Sequence, residues 1–229
     1  VAIQKEVDIQ RFTSGAAGVV RCDTIKDYEL KKIESLQTTE KDITSLKPGE
    51  LDGLEGLKML NLEGNKLHSL DSFVISGLTY LENLALARHP LIALQDELRV
   101  LTHLKRFDCS DCQLSEISTA AFGDNLELES VFLADNQLSQ LPDGIFQNND
   151  HLRIVDLSGN RFVQIPALFA SEKSPLEAFD ISRNLITVPD LSPLSRFQKL
   201  QVVNLSNNTF DSPDLQDTSV QMADHSFRI

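Results

Sequence analysis

One pattern recurs along this sequence at a nearly fixed interval, and that period constrains the fold more than any other feature. Leu57-Lys-Met-Leu60-Asn-Leu62-Glu-Gly-Asn65-Lys-Leu67-His-Ser-Leu70 shows it clearly. The spacing returns at Leu128, Val131, Leu133, Asn136, Leu138 and Leu141, and again at Leu152, Val155, Leu157, Asn160, Phe162 and Ile165. Leu176, Phe179, Ile181, Asn184 and Ile186 form the next copy; Leu200, Val203, Leu205, Asn208 and Phe210 form the last. Looser copies begin at Ile33, Leu81 and Leu104. Start positions 33, 57, 81, 104, 128, 152, 176 and 200 are 24 residues apart, with one step of 23.

Stacking explains each position. A period-2 segment such as Leu60-Asn61-Leu62 reads as a short strand, leucines inward and the residues between them outward. Stacked copies pair these strands into a parallel sheet. The ninth residue (Asn65, Asn136, Asn160, Asn184, Asn208) falls where the chain leaves the strand, and an amide side chain there can satisfy backbone groups of adjacent turns. Apolar residues such as Leu54, Leu78, Phe122, Phe146, Phe169 and Phe197 close the back of each coil. Prolines 142 and 166 follow the last inward residue, where an irregular turn tolerates a missing N–H.

These residues resemble the leucine-rich repeat family in its roughly 24-residue form, with an LPxxxF-like back, over residues 33 to about 213. The resemblance is to the extracellular animal subfamily: Toll-receptor ectodomains, secreted leucine-rich immune proteins of insects and lymphocyte receptors of jawless fish. It implies an α/β solenoid of eight repeats, a curved horseshoe with a parallel sheet on its concave face and irregular or short helical turns on its convex face. It also implies a non-enzymatic module that binds a protein on the concave face, in innate immunity or cell-surface recognition, and an extracellular location, with a cytosolic one as the alternative.

A solenoid needs caps over its apolar ends. Residues 1–32 are expected to form the N-terminal cap, residues 33–213 the repeats, and 214–229 a tail or partial cap. The tail reads either as the end of a truncated chain, the preferred reading, or as a segment that folds back through Leu215, Val220, Met222 and Phe227. The resemblance implies a cysteine cluster near the N-terminus, but only Cys22 stands there; it is a candidate for an intermolecular disulfide, and a dimer so formed is the alternative function. Cys109 and Cys112 form a C-x-x-C, yet the register puts them at the inward and asparagine positions, as small buried core residues. Val1-Ala-Ile-Gln-Lys-Glu-Val-Asp has neither the basic start nor the apolar centre of a signal peptide, so the chain begins in the cytosol or at a mature end.

Lys and Arg number 21 against 34 Asp and Glu, for a formal charge of −13. That balance excludes a nucleic acid or an anionic membrane as the main partner, because phosphate neutralisation needs a basic face. No stretch approaches the roughly 18 apolar residues of a membrane span. Two sequons, Asn204-Leu-Ser206 and Asn207-Asn208-Thr209, mark candidate glycosylation sites at Asn204 and Asn207.

The outward strand positions supply the candidate binding surface. Phe132 and Ile154 are large apolar residues where water is expected, and Asp108, Asp111, Asp135, Asp156 and Asp180 surround them, with Arg106 and Arg183 at the flanks. A central aromatic anchor in a charged surround suits a protein contact; the bland alternative is a solvated sheet face. Asp108, Asp111 and Asp135 have the oxygen chemistry calcium prefers, but no loop motif supports a site. No cofactor or metal is expected. His68, His89, His103, His151 and His225 are scattered, and no nucleophile elbow, P-loop or H-E-x-x-H segment accompanies them, so no enzyme is expected.

Overall fold

The fold is described from a computed structural model, which covers residues 30–169, 175–187, 190–191, 193–194, 197–210 and 219–221. Most of the expected N-terminal cap, including Cys22, lies outside these residues, as do Leu215, Met222 and Phe227.

Short strands repeat once per coil. They are β1 (Ser35–Gln37), β2 (Met59–Asn61), β3 (Asn83–Ala85), β5 (Arg106–Asp108), β7 (Ser130–Phe132), β8 (Ile154–Asp156), β9 (Ala178–Asp180) and β10 (Val202–Asn204). These eight pair in parallel, in order, within a sheet of nine. Two two-residue strands, β4 (Ala93–Leu94) and β6 (Glu116–Ile117), form a separate parallel pair. Each central strand residue points inward: Leu60, Leu84, Phe107, Val131 and Val155 are all buried. Register is set one coil at a time, Leu60 opposite Leu84 and Phe107 opposite Val131. A slip of one residue would turn every inward side chain to water, so the aliphatic pattern fixes the pairing.

Little helix is present among the described residues. Ser72–Ile75 makes one short turn of α-helix, α1, capped by the Asp71 carboxylate accepting from the Phe73 N–H. Glu97–Val100 makes one turn of 3₁₀-helix. No helix among the described residues is long and apolar enough to cross a membrane. The backs are joined by aromatic packing instead. Phe107, Phe122, Phe146, Phe169 and Phe197 form a chain of rings with successive centroids 5.2–6.1 Å apart. Such contacts add about 0.5–1.5 kcal/mol per pair beyond area burial.

The turn after each strand is held from inside. Asn136 Oδ1 accepts from the Cys112 and Leu114 N–H groups, while its Nδ2 donates to the Cys109 and Leu133 carbonyls. Asn65, Asn160, Asn184 and Asn208 act in the same way. On the opposite side a second, shorter set does similar work. Asn125 Nδ2 donates to the Leu98 and Leu101 carbonyls, and Asn149 Nδ2 to those of Phe122 and Asn125. Leu54 and Leu78 occupy the equivalent place in earlier coils, so periodicity of apolar residues alone does not reveal these two rungs.

One expectation needs correction. Cys109 and Cys112 are buried, as the register requires, but they are joined to each other by a disulfide rather than present as two free thiols. Position nine normally points its side chain into the coil beside position six, and that juxtaposition brings the two sulfurs together. At the C-terminal end, β11 (Ser219–Gln221) returns antiparallel to β10, with Val203 opposite Val220.

Candidate functional site

The outer surface of the sheet is built from the third and fifth residues of each coil. At the fifth position, short polar side chains turn back on their own backbone. Asp108, Asp156 and Asp180 each accept from the N–H two residues on, at Ser110, Ser158 and Ser182. Asn61 and Asn204 do the same toward Glu63 and Ser206. These are Asx turns that terminate the strand. The acidic column therefore has a local structural task in addition to any role toward a partner.

Three coils break the rule, at Gln37, Ala85 and Phe132, and the sequence signals the two apolar ones. Wherever the fifth residue is Asp or Asn, the seventh is Ser or Glu; Ala85 is followed by Ala87, and Phe132 by Ala134. Phe132 thus stands where a strand-ending carboxylate or amide would otherwise be. It is half-buried, and Ile154 on the next strand is 41% exposed. Arg106 reaches across from the preceding coil: its Cζ lies 3.8 Å from the Phe132 ring centroid and its Nη2 3.4 Å from Asp108 Oδ2. In register, Asp108, Phe132 and Asp156 lie directly opposite one another on three consecutive strands.

The eighth position forms a rim with a single backbone conformation. Glu40, Gly64, Arg88, Asp111, Asp135, Gly159, Arg183 and Asn207 all have left-handed φ values, between 55° and 71°. Glycine, asparagine and aspartate tolerate that region; the others are strained by roughly 1–2 kcal/mol each. Two strained arginines are held by ion pairs that cross a whole coil. Arg183 Nη1 and Nη2 donate to Asp135 Oδ1 and Oδ2 at 2.7 and 3.1 Å, and Arg88 Nη2 donates to Glu40 Oε1 at 3.0 Å. A glycine lies beneath each bridge. A Cβ on Gly159 would collide with Asp135 Oδ1, and one on Gly64 would come within 2.9 Å of Glu40 Cγ. The hydrogen bond to Asp135 raises the guanidinium pKa of Arg183 above its ordinary value, though burial opposes it.

The candidate residues are therefore distributed unevenly. Arg106, Asp108, Phe132, Ile154 and Asp156 form one contiguous group, with Asp180 on the strand beyond. Asp135 and Arg183 face each other on the rim, and Asp111 is exposed on the same rim. Among the described residues no group of three His, Cys, Asp or Glu side chains could hold a metal ion, so Asp108, Asp111 and Asp135 do not converge. Asn204 is engaged at both ends of its amide, donating to Asp180 and accepting from Ser206. Asn207 is exposed on the rim.

Two further features carry charge. In the first seven coils the second residue alternates in sign: Glu34, Lys58, Glu82, Lys105, Glu129, Arg153, Glu177. Lys58 pairs with Glu34 at 2.8 Å and Lys105 with Glu82 at 3.2 Å. That flank is neutralised along its length, which leaves the acidic excess to other surfaces. His89 replaces the ninth-position asparagine and is 1% exposed. The Leu67 N–H can only donate and the Leu62 carbonyl can only accept, so Nδ1 is the acceptor and Nε2 carries the proton. Burial lowers its pKa below the usual imidazole value, with the bond to Leu62 opposing.

Comparison with known proteins agrees with this geometry. A family model described as "Leucine rich repeat" matches residues 102–162. Those residues are leucine-rich repeats, and the coils on either side repeat their geometry. The fold of the chain is similar to the crystal structure of internalin C2 from Listeria monocytogenes, with a TM-score of 0.67, 21% identity, and 82% of this chain and 78% of that chain covered. Internalin inlF from the same organism aligns over 92% of this chain and 64% of its own, with a TM-score of 0.61 and 20% identity. TLR13, in its complex with ssRNA13, aligns with a TM-score of 0.67 and 26% identity over 74% of this chain; the match spans 24% of the TLR13 chain. A search of curated protein sequences returns no match. The outer face of the sheet carries exposed Met59, Ile154 and Val202 among its polar side chains, and Phe132 and Ile154 are the pair that stand on adjacent strands.

Proposed function

We propose that this chain is a non-enzymatic recognition module that binds a protein partner on its concave sheet, centred on Phe132 and Ile154. The observation that carries the reading is the replacement of a strand-ending polar residue by Phe132, beside an exposed Ile154 and between Asp108 and Asp156. A sheet that served only as scaffold would gain from a turn-forming Asp at this position, as it does in the adjacent coils. Arg106, Asp111, Asp135, Asp180 and Arg183 supply the polar surround. The reading extends to a secreted or ectodomain protein of immunity or cell-surface recognition, in keeping with the internalin and TLR13 folds. A nucleic-acid ligand such as that of the TLR13 complex would meet an unfavourable field, since the chain carries a formal charge of −13.

The test compares wild type with Phe132→Asp as baits in extracellular fluid, with mass spectrometry of the captured proteins. Asp suits the local backbone, so circular dichroism and melting are expected to stay unchanged while one captured protein disappears. Identical capture by both baits would remove Phe132 from the site.

A further inference from the structure

Within the site just proposed, and resting on that reading, we propose that Phe132 and Asp156 form a subsite for an arginine side chain of the partner. The chain itself shows the chemistry that suits this ring. On one side, the Arg106 guanidinium stacks over Phe132 at 3.8 Å and approaches Asp108 at 3.4 Å, so a ring and an adjacent carboxylate together hold a planar cation. A delocalised guanidinium fits such a place better than an ammonium, because it can stack on the ring face and donate in its own plane at once.

The other side of Phe132 has the same parts without the cation. Asp156 stands opposite Phe132 on β8, as Asp108 does on β5. One oxygen of Asp156 accepts from the Ser158 N–H at 2.9 Å, which orients the carboxylate and leaves Oδ2 for a second donor. No Lys or Arg among the described residues lies within ion-pair distance of Asp156; Arg183 is near enough to feel its charge but is held by Asp135 through both of its terminal nitrogens, which leaves Asp156 without a direct cationic donor. Ile154, two residues before Asp156 on the same strand, is exposed and offers an apolar surface to the methylene stem of an incoming arginine. Ring, carboxylate and aliphatic contact thus match the three parts of one side chain. A partner with a basic segment also complements the negative charge of the chain, and that field speeds its approach.

The experiment titrates the full chain with acetyl-Gly-Arg-Gly-Arg-Gly-amide and with the same peptide carrying citrulline, which keeps the shape and removes the charge. The readouts are calorimetry and the NMR signals of the Phe132 ring. Binding of the arginine peptide is expected, with at least tenfold loss on citrulline substitution and about tenfold loss in Asp156→Asn. Asn preserves the turn, as Asn61 and Asn204 do in their own coils. Asp180→Asn, one strand further away, is expected to bind nearly as wild type. Equal binding of the two peptides, no binding, or an unaffected Asp156→Asn overturns the arginine subsite. So does preferential binding of a single-stranded oligonucleotide or an acidic peptide on the same surface, or a second copy of the chain occupying it. If Phe132→Asp abolishes capture while Asp156→Asn and citrulline change nothing, the concave site stands and only the arginine assignment falls. If Phe132→Asp leaves capture intact, the broader reading fails instead.

Discussion

The interior of the turns differs between the two halves of the solenoid. From coil to coil in the C-terminal half, Asn136, Asn160, Asn184 and Asn208 repeat one arrangement, each amide accepting from one coil and donating to carbonyls of two. In the N-terminal half Asn65 keeps that arrangement, but in the third and fourth coils the same place holds His89 and then Cys112. The imidazole keeps one acceptor and one donor. The Cys112 sulfur lies 3.0 Å from the Leu86 carbonyl, where an amide would donate, but a disulfide sulfur has no hydrogen to give. What the position requires is a small group that both accepts and donates; residue types that do half of this fit by shape and leave the turn less well held.

Breaking a complete rung gives the largest expected effect. Asn160→Ala strands the Leu138 N–H and removes one of two donors from each of the Leu133 and Leu157 carbonyls, which keep Asn136 and Asn184, and is expected to lower unfolding free energy by about 2–3 kcal/mol in urea titration. A loss below 0.5 kcal/mol would show that water substitutes freely for the amide. Completing the deficient rung comes next. Without the disulfide in either variant, Cys109→Leu/Cys112→Asn is expected to exceed Cys109→Leu/Cys112→Ala by about 1–2 kcal/mol, because only the former donates to Leu86.

His89 sharpens the comparison through pH. Its native pKa is lowered, so below the unfolded value of about 6.5 the unfolded chain binds a proton that the folded chain resists. Its contribution is therefore complete above that pH and lost as pH falls below it, and a protonated Nδ1 would face the Leu67 N–H donor to donor. Thermal melts from pH 7.5 to 5 are expected to fall less steeply in His89→Asn than in wild type; parallel curves would exclude this histidine. The smallest effect belongs to the rim. Arg183→Gln breaks a bidentate but solvent-exposed pair, for a loss of up to about 1 kcal/mol that shrinks with salt.

The inward set was legible because it belongs to single coils. Leu60, Phe107, Val131 and Phe179 follow a spacing that states which side of a strand is dry, and the ninth-position asparagines follow from the need to satisfy a buried turn. The site was legible only in part. Phe132 and Ile154 stood out by residue type, but their charged surround proved to be two groups, one on the sheet and one on the rim. The sign alternation at Glu34, Lys58, Glu82 and Lys105, and the linked fifth and seventh residues, were also present in the sequence; reading them required comparing residues by their place in the coil rather than along the chain. Asn125 and Asn149 were hidden, since they sit in a column that holds Leu54, Leu78, Leu101 and Phe197 in other coils.

Sequence by itself determined that this chain stacks, which side chains are enclosed, and that the open sheet is interrupted by an aromatic residue. Burial depends on position within one repeat, and the repeat is written directly in the residues. Tertiary structure decided the pairings: Arg106 on Phe132, Arg183 across Gly159 to Asp135, Cys109 with Cys112, and the tautomer of His89. Those depend on side-chain direction and on how close neighbouring coils bring groups up to 48 residues apart, and a period cannot encode either.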